Sequence, residues 1–429
     1  MGLILPITVR YIPVFVIIKS TMMGHSNSLP ANRPRFNLTR WRSIRSIPLQ
    51  LVCVTVCWSS SAATGRTHDN SIDLNDRIRG AYYGALVADA LCLGSHYEYD
   101  AKKIKQAYGG DSIQRYMAPG EQMGGETHGI GWGARNYHPG TVAGDQTDYG
   151  EYNVLILEHL AQSAENPHSF DVTEFIPIWQ NRLLHGWKQW VCTQTKQAFQ
   201  QVQQGIAVNQ LGGNSNAMAL RFASVFSYFE TEDEVVDAAL KTMFTHRERT
   251  ALLGGEFFAR VTYRILHQNL TPRQAIDQVA AESDPWIQQK VMQAISKFEE
   301  AMKPPLSNEE FVDDLALTSM ARLWDVGKSE PIKVGKASPT EGTLPGAIYF
   351  ILKYPDNLVK SAKANAMVGG DNASRAIAIG MVLGAAHGVK AGIPKELQDG
   401  LNHWRHSEAL LKEMPLIKAN PVASIGNEL

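Results

Sequence analysis

Two acidic segments far apart in the chain, Gly144–Gly150 (GDQTDYG) and Gly369–Arg375 (GGDNASR), contain residue types suited to metal chemistry. Each places Gly, Asp and a hydroxyl residue directly before a run that is compatible with a long helix. A helix N-terminus attracts carboxylates because they cap its free N–H groups and complement its dipole. Two such ends meeting in one pocket would offer carboxylate and hydroxyl oxygens, the ligands that Mg²⁺ prefers. The alternative is that both segments are ordinary helix caps.

The chain that must position these segments reads as helical from Ile72 onward. Apolar residues recur at spacings of three and four, and only short runs such as Lys333–Ala337 are compatible with β-structure. The pattern predicts an all-α fold, a single compact multi-helix domain at 72–395, with a long loop region over Tyr108–Gly144. The predicted helices are Asp73–Ala90, Glu151–Leu160, Val172–Leu184, Gln194–Gln204, Ala217–Tyr228, Glu232–Phe244, Arg249–Gln268, Thr271–Glu282, Pro285–Met302, Asn308–Asp325, a central buried helix at Ala364–Val389, and Glu396–Lys412.

The N-terminal region has a different composition from the rest. Basic residues at 33–45 precede an apolar stretch, Ile47–Trp58, which is followed by small residues. This layout predicts a secretory signal peptide in 1–63, cleaved near Ala63, and therefore an exported protein. The alternative is a disordered or wrongly assigned N-terminus, which would leave the protein in the cytoplasm. Residues 396–429 are predicted to form a C-terminal helix and tail.

Bulk composition excludes some classes of function. The chain has 429 residues, 44% of them hydrophobic, and a formal net charge of −1, so it has ample core but no basic stripe. We therefore expect no nucleic-acid partner. The apolar N-terminal stretch is too short for a stable membrane span. Cys92 and Cys192, the two cysteines of the body, are too few for a disulfide framework or a zinc site.

With these features the chain resembles the ADP-ribosylglycohydrolase superfamily. Four landmarks appear in the expected order, and a Thr245-His246 pair lies between the last two. The landmarks are Asp76–Ala90, the Thr147-Asp148 helix start, the loop Gly212–Met218 (GGNSNAM), and Gly369-Gly370-Asp371. The resemblance implies an all-helical fold, bound Mg²⁺ ions and hydrolysis of linkages to ADP-ribose.

The sequence departs from the family pattern in both acidic segments. Tyr149 and Ala373 each stand where the family has a carboxylate, so the resemblance implies one ion rather than two, Mg²⁺ with Mn²⁺ as the other candidate. The implied metal ligands are Thr147, Asp148, Asp371 and Ser374, with Asp145 as an extra carboxylate. The phrases GDQTDYGEYN and GGDNASRA resemble the branch that contains the jellyfish J-type lens crystallins.

The resemblance also implies catalytic and substrate-binding residues. Two alignments of the family's catalytic Glu point to His96 or to Glu98, either of which could instead be a polar helix-end residue. We expect the loop Gly212–Ala217 to open a helix, whose N–H groups would suit a pyrophosphate, with a plain helix cap as the alternative. The predicted substrate-binding residues are Gly213, Asn214, Ser215, Tyr149, Arg375 and His246.

The leading prediction is hydrolysis of an N- or O-glycosidic bond to ADP-ribose or a related nucleotide sugar by a metal-activated water. The expected partner is then a small nucleotide sugar or an ADP-ribosylated substrate, with no membrane span in the mature chain. If the protein is exported, an extracytoplasmic glycoside or amide becomes the better substrate class. The second hypothesis is a non-catalytic ligand-binding or structural, crystallin-like protein on the same fold.

Overall fold

The computed structural model describes residues 72–119, 127–129, 133–163, 169–320 and 334–419. All of them belong to the unit Thr67–Leu429. The predicted leader at 1–63 lies outside the described residues, as does 420–429 of the predicted C-terminal tail. The described residues are mostly helical and almost without strands, which confirms the all-α prediction.

The described helices and strands begin and end as follows. The helices are α1 Leu74–Cys92, α2 Ala101–Ala107, α3 Asp148–Gln162, α4 Val172–Leu184, α5 Thr193–Gln203, α6 Glu232–Thr242, α7 Arg249–Gln268, α8 Pro272–Glu282, α9 Pro285–Ala301, α10 Val312–Thr318, α11 Thr340–Lys353, α12 Leu358–Val368, α13 Asn372–Gly392, α14 Lys395–Gly400, α15 Trp404–Leu411 and α16 Pro415–Ala419. The strands β1 Thr127–Gly129 and β2 Gly133–Arg135 form an antiparallel hairpin.

Helices α1 and α13 pack backbone to backbone through glycines at the centre of the fold. A Cβ added to Gly84 would overlap the carbonyl oxygen of Gly380, and Gly80 faces Gly384 in the same way. Only residues without a side chain allow two helices to approach this closely. Because α1 carries one acidic residue of the site and α13 begins beside another, this contact fixes the frame in which the site is built.

The predicted single helix Ala364–Val389 is wrong, because the second acidic segment interrupts it. Helix α12 ends at Val368 and α13 begins at Asn372. Gly369 and Gly370 between them have φ angles of +73° and +68°, which glycine adopts without the steric cost that other residues meet. The Gly370 carbonyl accepts a hydrogen bond from the Tyr97 amide at 2.9 Å, so the turn is tied to the segment that follows α1.

The predicted helix Ala217–Tyr228 is also wrong. This segment is irregular, with a single short 3₁₀ turn, and its apolar residues are buried. Backbone groups that would bond each other in a helix bond side chains of other elements here. Asn153 Oδ1 accepts from the Ala223 amide at 2.8 Å, and Ser374 Oγ donates to the Met218 carbonyl at 3.0 Å. A buried apolar run looks the same in sequence whether it is helical or extended.

Smaller differences concern element ends. Residues 334–336 form a 3₁₀ turn within the run Lys333–Ala337, which was compatible with β-structure, and α11 was not predicted. The predicted helix Glu396–Lys412 divides into α14 and α15, and the predicted end of Asn308–Asp325 lies outside the described residues. Within the described part of the chain, no helix is both long and apolar enough to cross a membrane.

Candidate active site between two helix starts

The first acidic segment is held by Asp89, a buried residue of α1. Thr147 caps α3: its Oγ1 accepts from the Tyr149 amide at 3.2 Å and donates to Asp89 Oδ1 at 2.6 Å. The Thr147 amide donates to Asp89 Oδ2 at 2.8 Å. Burial, opposed by these bonds, raises the pKa of Asp89 to about 7. The Thr147 hydroxyl, predicted as a metal ligand, is therefore bonded within the fold.

Asp148 is the first residue of α3 and its carboxyl group is buried. Its Oδ1 has no hydrogen-bond partner among the described residues. Burial, together with the charges of Asp371 and Asp89, raises the pKa of Asp148 well above its ordinary value, while the charge of Arg221 opposes this. Buried polar atoms without a partner are rare in folded proteins. A water, an ion or a ligand atom beside this oxygen would satisfy it.

Asp371, in the second segment, is fully bonded. Its Oδ1 accepts from the Ser374 amide and from His96 Nε2, both at 3.2 Å, and its Oδ2 accepts from the Tyr149 hydroxyl at 2.8 Å. Burial alone would raise the pKa of Asp371, but the bonds and charge of His96 outweigh it and lower the pKa. The structure thus brings the two acidic segments together, through Tyr149 and Asp371.

A histidine pair extends this network. His96 Nδ1 lies 2.8 Å from His138 Nε2, and the Trp190 amide donates to His138 Nδ1 at 3.2 Å. Burial, then the charge of His96, lowers the pKa of His138 well below its ordinary value. Because His138 Nδ1 accepts from the Trp190 amide, the neutral ring carries its proton on Nε2. The hydrogen-bond pattern therefore assigns one direction of donation, from Trp190 through His138 and His96 to Asp371.

His96, His138 and Asp148 form a group that could hold a metal ion. Each offers one ligand atom, these atoms lie within 4.8 Å of one another, and all three residues are buried. They come from three separate segments, after α1, after β2 and at the start of α3. This cluster supports the coarser part of the cofactor prediction, a possible metal site, and it does not show which ion binds.

The histidine pair faces a narrow cleft beside the hairpin. The cleft encloses about 180 Å³ and is lined by Leu93, His96, Pro119, Thr127, Asn136, Tyr137 and His138. Thr127 Oγ1 donates to the His96 carbonyl at 2.9 Å, and the Tyr97 ring stacks on His96 at 3.9 Å between centroids. Tyr97 has a φ of +65°, a conformation uncommon for a bulky residue. Backbone strain of this kind is found at functional sites.

Two further predicted residues lie in structural positions. Glu98 is buried and its Oε1 accepts from the Asp100 amide at 2.9 Å, so it supports the turn before α2. Asp145 accepts from the Val142 amide at 3.0 Å and from Asn402 Nδ2 at 2.7 Å. Of the two catalytic candidates, the structure brings His96 to Asp371, and it does not bring Asp145 into the His/Asp group.

Ser374 and Arg375 support the second segment from within. The Ser374 hydroxyl donates to the Met218 carbonyl, as described above. Arg375 is buried; its Nε donates to Asn365 Oδ1 at 2.8 Å and its Nη2 donates to the Gly369 carbonyl at 2.6 Å. Burial lowers the pKa of Arg375 to about 10. Arg375 therefore braces the turn before α13.

The Gly212 loop does not open a helix, so that prediction is wrong. Gly213, Asn214 and Ser215 follow the turn at Gly212, and the Ser215 amide donates to Oε1 of Gln194 on α5 at 3.2 Å. Asn214 is exposed. Without a helix the segment has no N-terminal dipole to offer a pyrophosphate.

His246 belongs to a second polar cluster beside the first. Its Nδ1 bonds the Thr245 hydroxyl at 2.8 Å and its Nε2 lies 3.6 Å from Cys192 Sγ. Arg221 Nη1 donates to the same Thr245 hydroxyl at 2.5 Å. Burial, then the charge of Arg221, lowers the pKa of His246 well below its ordinary value. The charge of Arg221 also acts on Asp148, so the two clusters are electrostatically linked.

Sequence reasoning missed His138 and Trp190. His138 follows a tyrosine in the glycine-rich region that precedes the first acidic segment, and that region was expected to cover a pocket. A single histidine in a loop gives no sign of its partner, since His96 is 42 positions away and Trp190 is 52. Only the region, and not the residue, was accessible from sequence.

The family model described as ADP-ribosylglycohydrolase matches residues 70–422. The chain belongs to the ADP-ribosylglycohydrolase family. Among solved structures, one titled "ADP-ribosylglycohydrolase-related protein complex" aligns with a TM-score of 0.53 over 80% of this chain and 97% of that chain, at 17% identity. At that identity the likeness supports the fold alone. No curated protein matches the chain significantly.

Proposed function

We propose that this ADP-ribosylglycohydrolase family member hydrolyses an N- or O-glycosidic bond to ADP-ribose or a related nucleotide sugar, with Asp148 at the centre of the reaction. The observation that carries the proposal is the buried Asp148 Oδ1, which has no partner among the described residues. Family membership supports a glycohydrolase activity. The identity of the substrate goes beyond what family membership supports.

The residues around Asp148 have distinct tasks in this proposal. Hydrolysis of a glycosidic bond needs a group that positions the attacking water and accepts its proton. Asp148 fills this role because its oxygen is open, whereas both oxygens of Asp371 are bonded. Asp371 holds His96 in one orientation, and His96 in turn lines the cleft. Arg221 supplies positive charge near Asp148.

Mg²⁺ is the predicted ion, with Mn²⁺ as the other candidate and one ion rather than two. A bound divalent ion would polarise the attacking water. The predicted oxygen ligands fit it only in part: Asp148 offers an open oxygen, but Thr147 and Ser374 donate their hydroxyl protons to other groups, and Asp371 is fully bonded. The proposed roles of the residues therefore do not depend on Mg²⁺ bound by these four residues.

A small-molecule substrate of the ADP-ribose type is what family membership supports. The cleft beside the hairpin is too narrow in this conformation to hold a whole nucleotide. Export of the protein remains a prediction, since the leader lies outside the described residues, and an extracytoplasmic glycoside or amide is then the alternative substrate. The crystallin-like branch likewise remains a prediction.

The test is an assay of the full-length chain on one N-linked and one O-linked ADP-ribosyl conjugate, with released ADP-ribose as the measured product. We expect turnover in the wild type and a fall in kcat/KM of about 10²–10⁴-fold in Asp148→Asn, because general-base contributions have this size. Asp356→Asn is the matched control, since Asp356 is exposed on the surface.

Two outcomes contradict the proposal. The first is equal turnover in the wild type and Asp148→Asn. The second is no hydrolysis of either conjugate with Mg²⁺, Mn²⁺ or Zn²⁺ present. If calorimetry then showed that ADP-ribose still binds, the non-catalytic alternative on the same fold would replace the enzyme.

A further inference from the structure

We propose that His96, His138 and Asp148 hold one divalent ion of the zinc class, through two nitrogen ligands and one oxygen ligand. The inference deepens the proposed function, because it names the ion of the same site. Its test measures metal binding and does not need turnover.

The ligand types decide the class of ion. Two imidazole nitrogens and one carboxylate oxygen suit Zn²⁺ and neighbouring transition metals, whereas Mg²⁺ demands near-ideal octahedral coordination by oxygen. Catalytic zinc sites commonly have three protein ligands and one position left for water. The ligand atoms of His96, His138 and Asp148 lie within 4.8 Å of one another and are buried, so they could close on a single ion.

Tyr149 helps to keep Asp371 out of the ligand set. Its hydroxyl donates to Asp371 Oδ2, while His96 Nε2 and the Ser374 amide occupy Asp371 Oδ1. Asp371 therefore supports His96 and is not among the proposed ligands. A carboxylate that accepts the second ring N–H of a histidine fixes the ring and strengthens it as a metal ligand, an arrangement common to protein metal sites. The free face of His96 is then Nδ1.

His96 Nδ1 faces His138 Nε2 at 2.8 Å. Two nitrogens on a tetrahedral zinc ion lie about 3.3 Å apart, given Zn–N distances of about 2.0–2.1 Å. To admit the ion, the two nitrogens must therefore separate by about half an ångström and the rings must turn until both lone pairs point at it. Asp148 Oδ1 would be the third ligand and would give up no hydrogen bond to the described residues. With the ion bound, Asp148 would position the attacking water through that ion.

Metal binding must also change the bonding of His138. A neutral imidazole that binds metal through Nε2 carries its proton on Nδ1, which now accepts from the Trp190 amide. The proton on His138 Nε2 moves to His138 Nδ1, which can then no longer accept from the Trp190 amide. His138 therefore stays neutral and releases no proton. Trp190 lies in the segment between α4 and α5 and is only half-buried, so its amide can turn away at modest cost.

The experiment is calorimetric titration of the untagged full-length chain with Zn²⁺ and with Mg²⁺, together with the absorption spectrum of the Co²⁺-loaded protein. We expect one Zn²⁺ per chain, binding far more tightly than Mg²⁺, and a Co²⁺ spectrum typical of nitrogen ligands. His138→Ala and Asp148→Asn should each weaken Zn²⁺ binding by at least about 100-fold, and Tyr149→Phe by about 10-fold, as for a supporting residue. His406→Ala, a half-exposed surface histidine, is the matched control.

Several results overturn the inference. One is Mg²⁺ binding that is tighter than Zn²⁺ binding, and another is the absence of Zn²⁺ binding. Zn²⁺ affinity that survives both His138→Ala and Asp148→Asn also refutes it, as does loss of binding in Cys192→Ser alone, which would place the ion at Cys192 and His246. If His138→Ala does not fold, Tyr149→Phe and the Co²⁺ spectrum still decide. Zn²⁺ binding without hydrolysis would reject the proposed function and keep the metal site.

Discussion

The two helix starts that meet in the site use the same capping chemistry and leave different groups behind. In the first, the cap is Thr147, and the acidic residue follows it at Asp148. In the second, the cap is the acidic residue itself, Asp371, whose carboxylate accepts from the Ser374 amide. A shift of one position between cap and carboxylate decides which oxygen stays open.

Capping a helix and binding a ligand compete for the same side-chain oxygen atoms. A cap residue bonds the free N–H groups of the first turn, so its oxygen is already committed. The next residue is helical and can turn its side chain into the site. Asp148 and Asp371 look equivalent in sequence, yet the first is a functional candidate and the second a support.

Removal of each carboxylate should therefore affect stability in opposite ways, and this is the largest expected effect. Asp371→Ala leaves the Tyr149 hydroxyl, His96 Nε2 and the Ser374 amide without an acceptor, and each buried unpaired group costs about 1–3 kcal/mol. We expect a loss of about 4 kcal/mol in the free energy of unfolding. Asp148→Ala should leave that free energy unchanged or raised in a chelating buffer. Urea denaturation measures both, and equal losses would remove the distinction between the two helix starts.

The two hydroxyl residues of the segments offer a second contrast. Thr147→Val removes the bond to the buried Asp89 and the cap of α3, and we expect a loss of about 2–3 kcal/mol in unfolding free energy. Ser374→Ala removes one bond to the Met218 carbonyl, and the expected loss is about 1 kcal/mol. Thermal and urea melts compare the two variants. A strong fall in metal affinity in either would show that these hydroxyls bind the ion after all.

The smallest effect concerns pH. Helix α3 is held on its outer side by Glu151, which accepts from His403 Nε2 at 3.0 Å and from Arg182 Nη1 at 2.8 Å. The pKa of His403 is raised: burial alone would lower it, but the bond to Glu151 and its charge outweigh burial. The pKa of Glu151 is lowered: burial alone would raise it, but the bonds to His403 and Arg182 and their charges outweigh burial. The start of α13, by contrast, is buried, and among the described residues it has no such surface pair.

The sign of the pH effect follows from these directions. The contribution of His403 is complete below its unfolded pKa of about 6.5 and is lost as pH rises through its higher folded pKa. That of Glu151 is complete above its unfolded pKa of about 4.3 and is lost as pH falls through its lower folded value. The pair should stabilise α3 most at about pH 4.5–6.5, by under about 1 kcal/mol because His403 is partly exposed. Melting temperature against pH should be flatter in His403→Gln; an unaltered profile would contradict this.

The sequence predicted the scaffold better than the site. Periodic helices such as α4 were placed correctly because their apolar residues recur at helical spacing on one face. The buried run at Ala217–Tyr228 has no polar face, so its extended form could not be distinguished from a helix. Its backbone is satisfied by Asn153 and Ser374, which are distant in sequence.

The site itself was half accessible to sequence reasoning. The acidic segments could be found because a helix start has a local signature, and so could the family to which they belong. The histidine pair could not, because it depends on the fold to bring a loop residue, His138, against His96. The bond from Tyr149 to Asp371 shows the same limit: sequence showed that a carboxylate was missing at Tyr149, but not that the phenol would bond its former neighbour.

The glycine contact between α1 and α13 also bears on how this site can be re-engineered. Because Gly80 and Gly84 meet Gly384 and Gly380 through backbone atoms, the spacing of the two helices does not depend on side chains that line the site. If the proposed ion is bound, substitutions at Tyr149 should change its metal selectivity without changing the distance between α1 and α13. The spacing of α1 and α13 is thus set independently of the residues that would select the proposed metal.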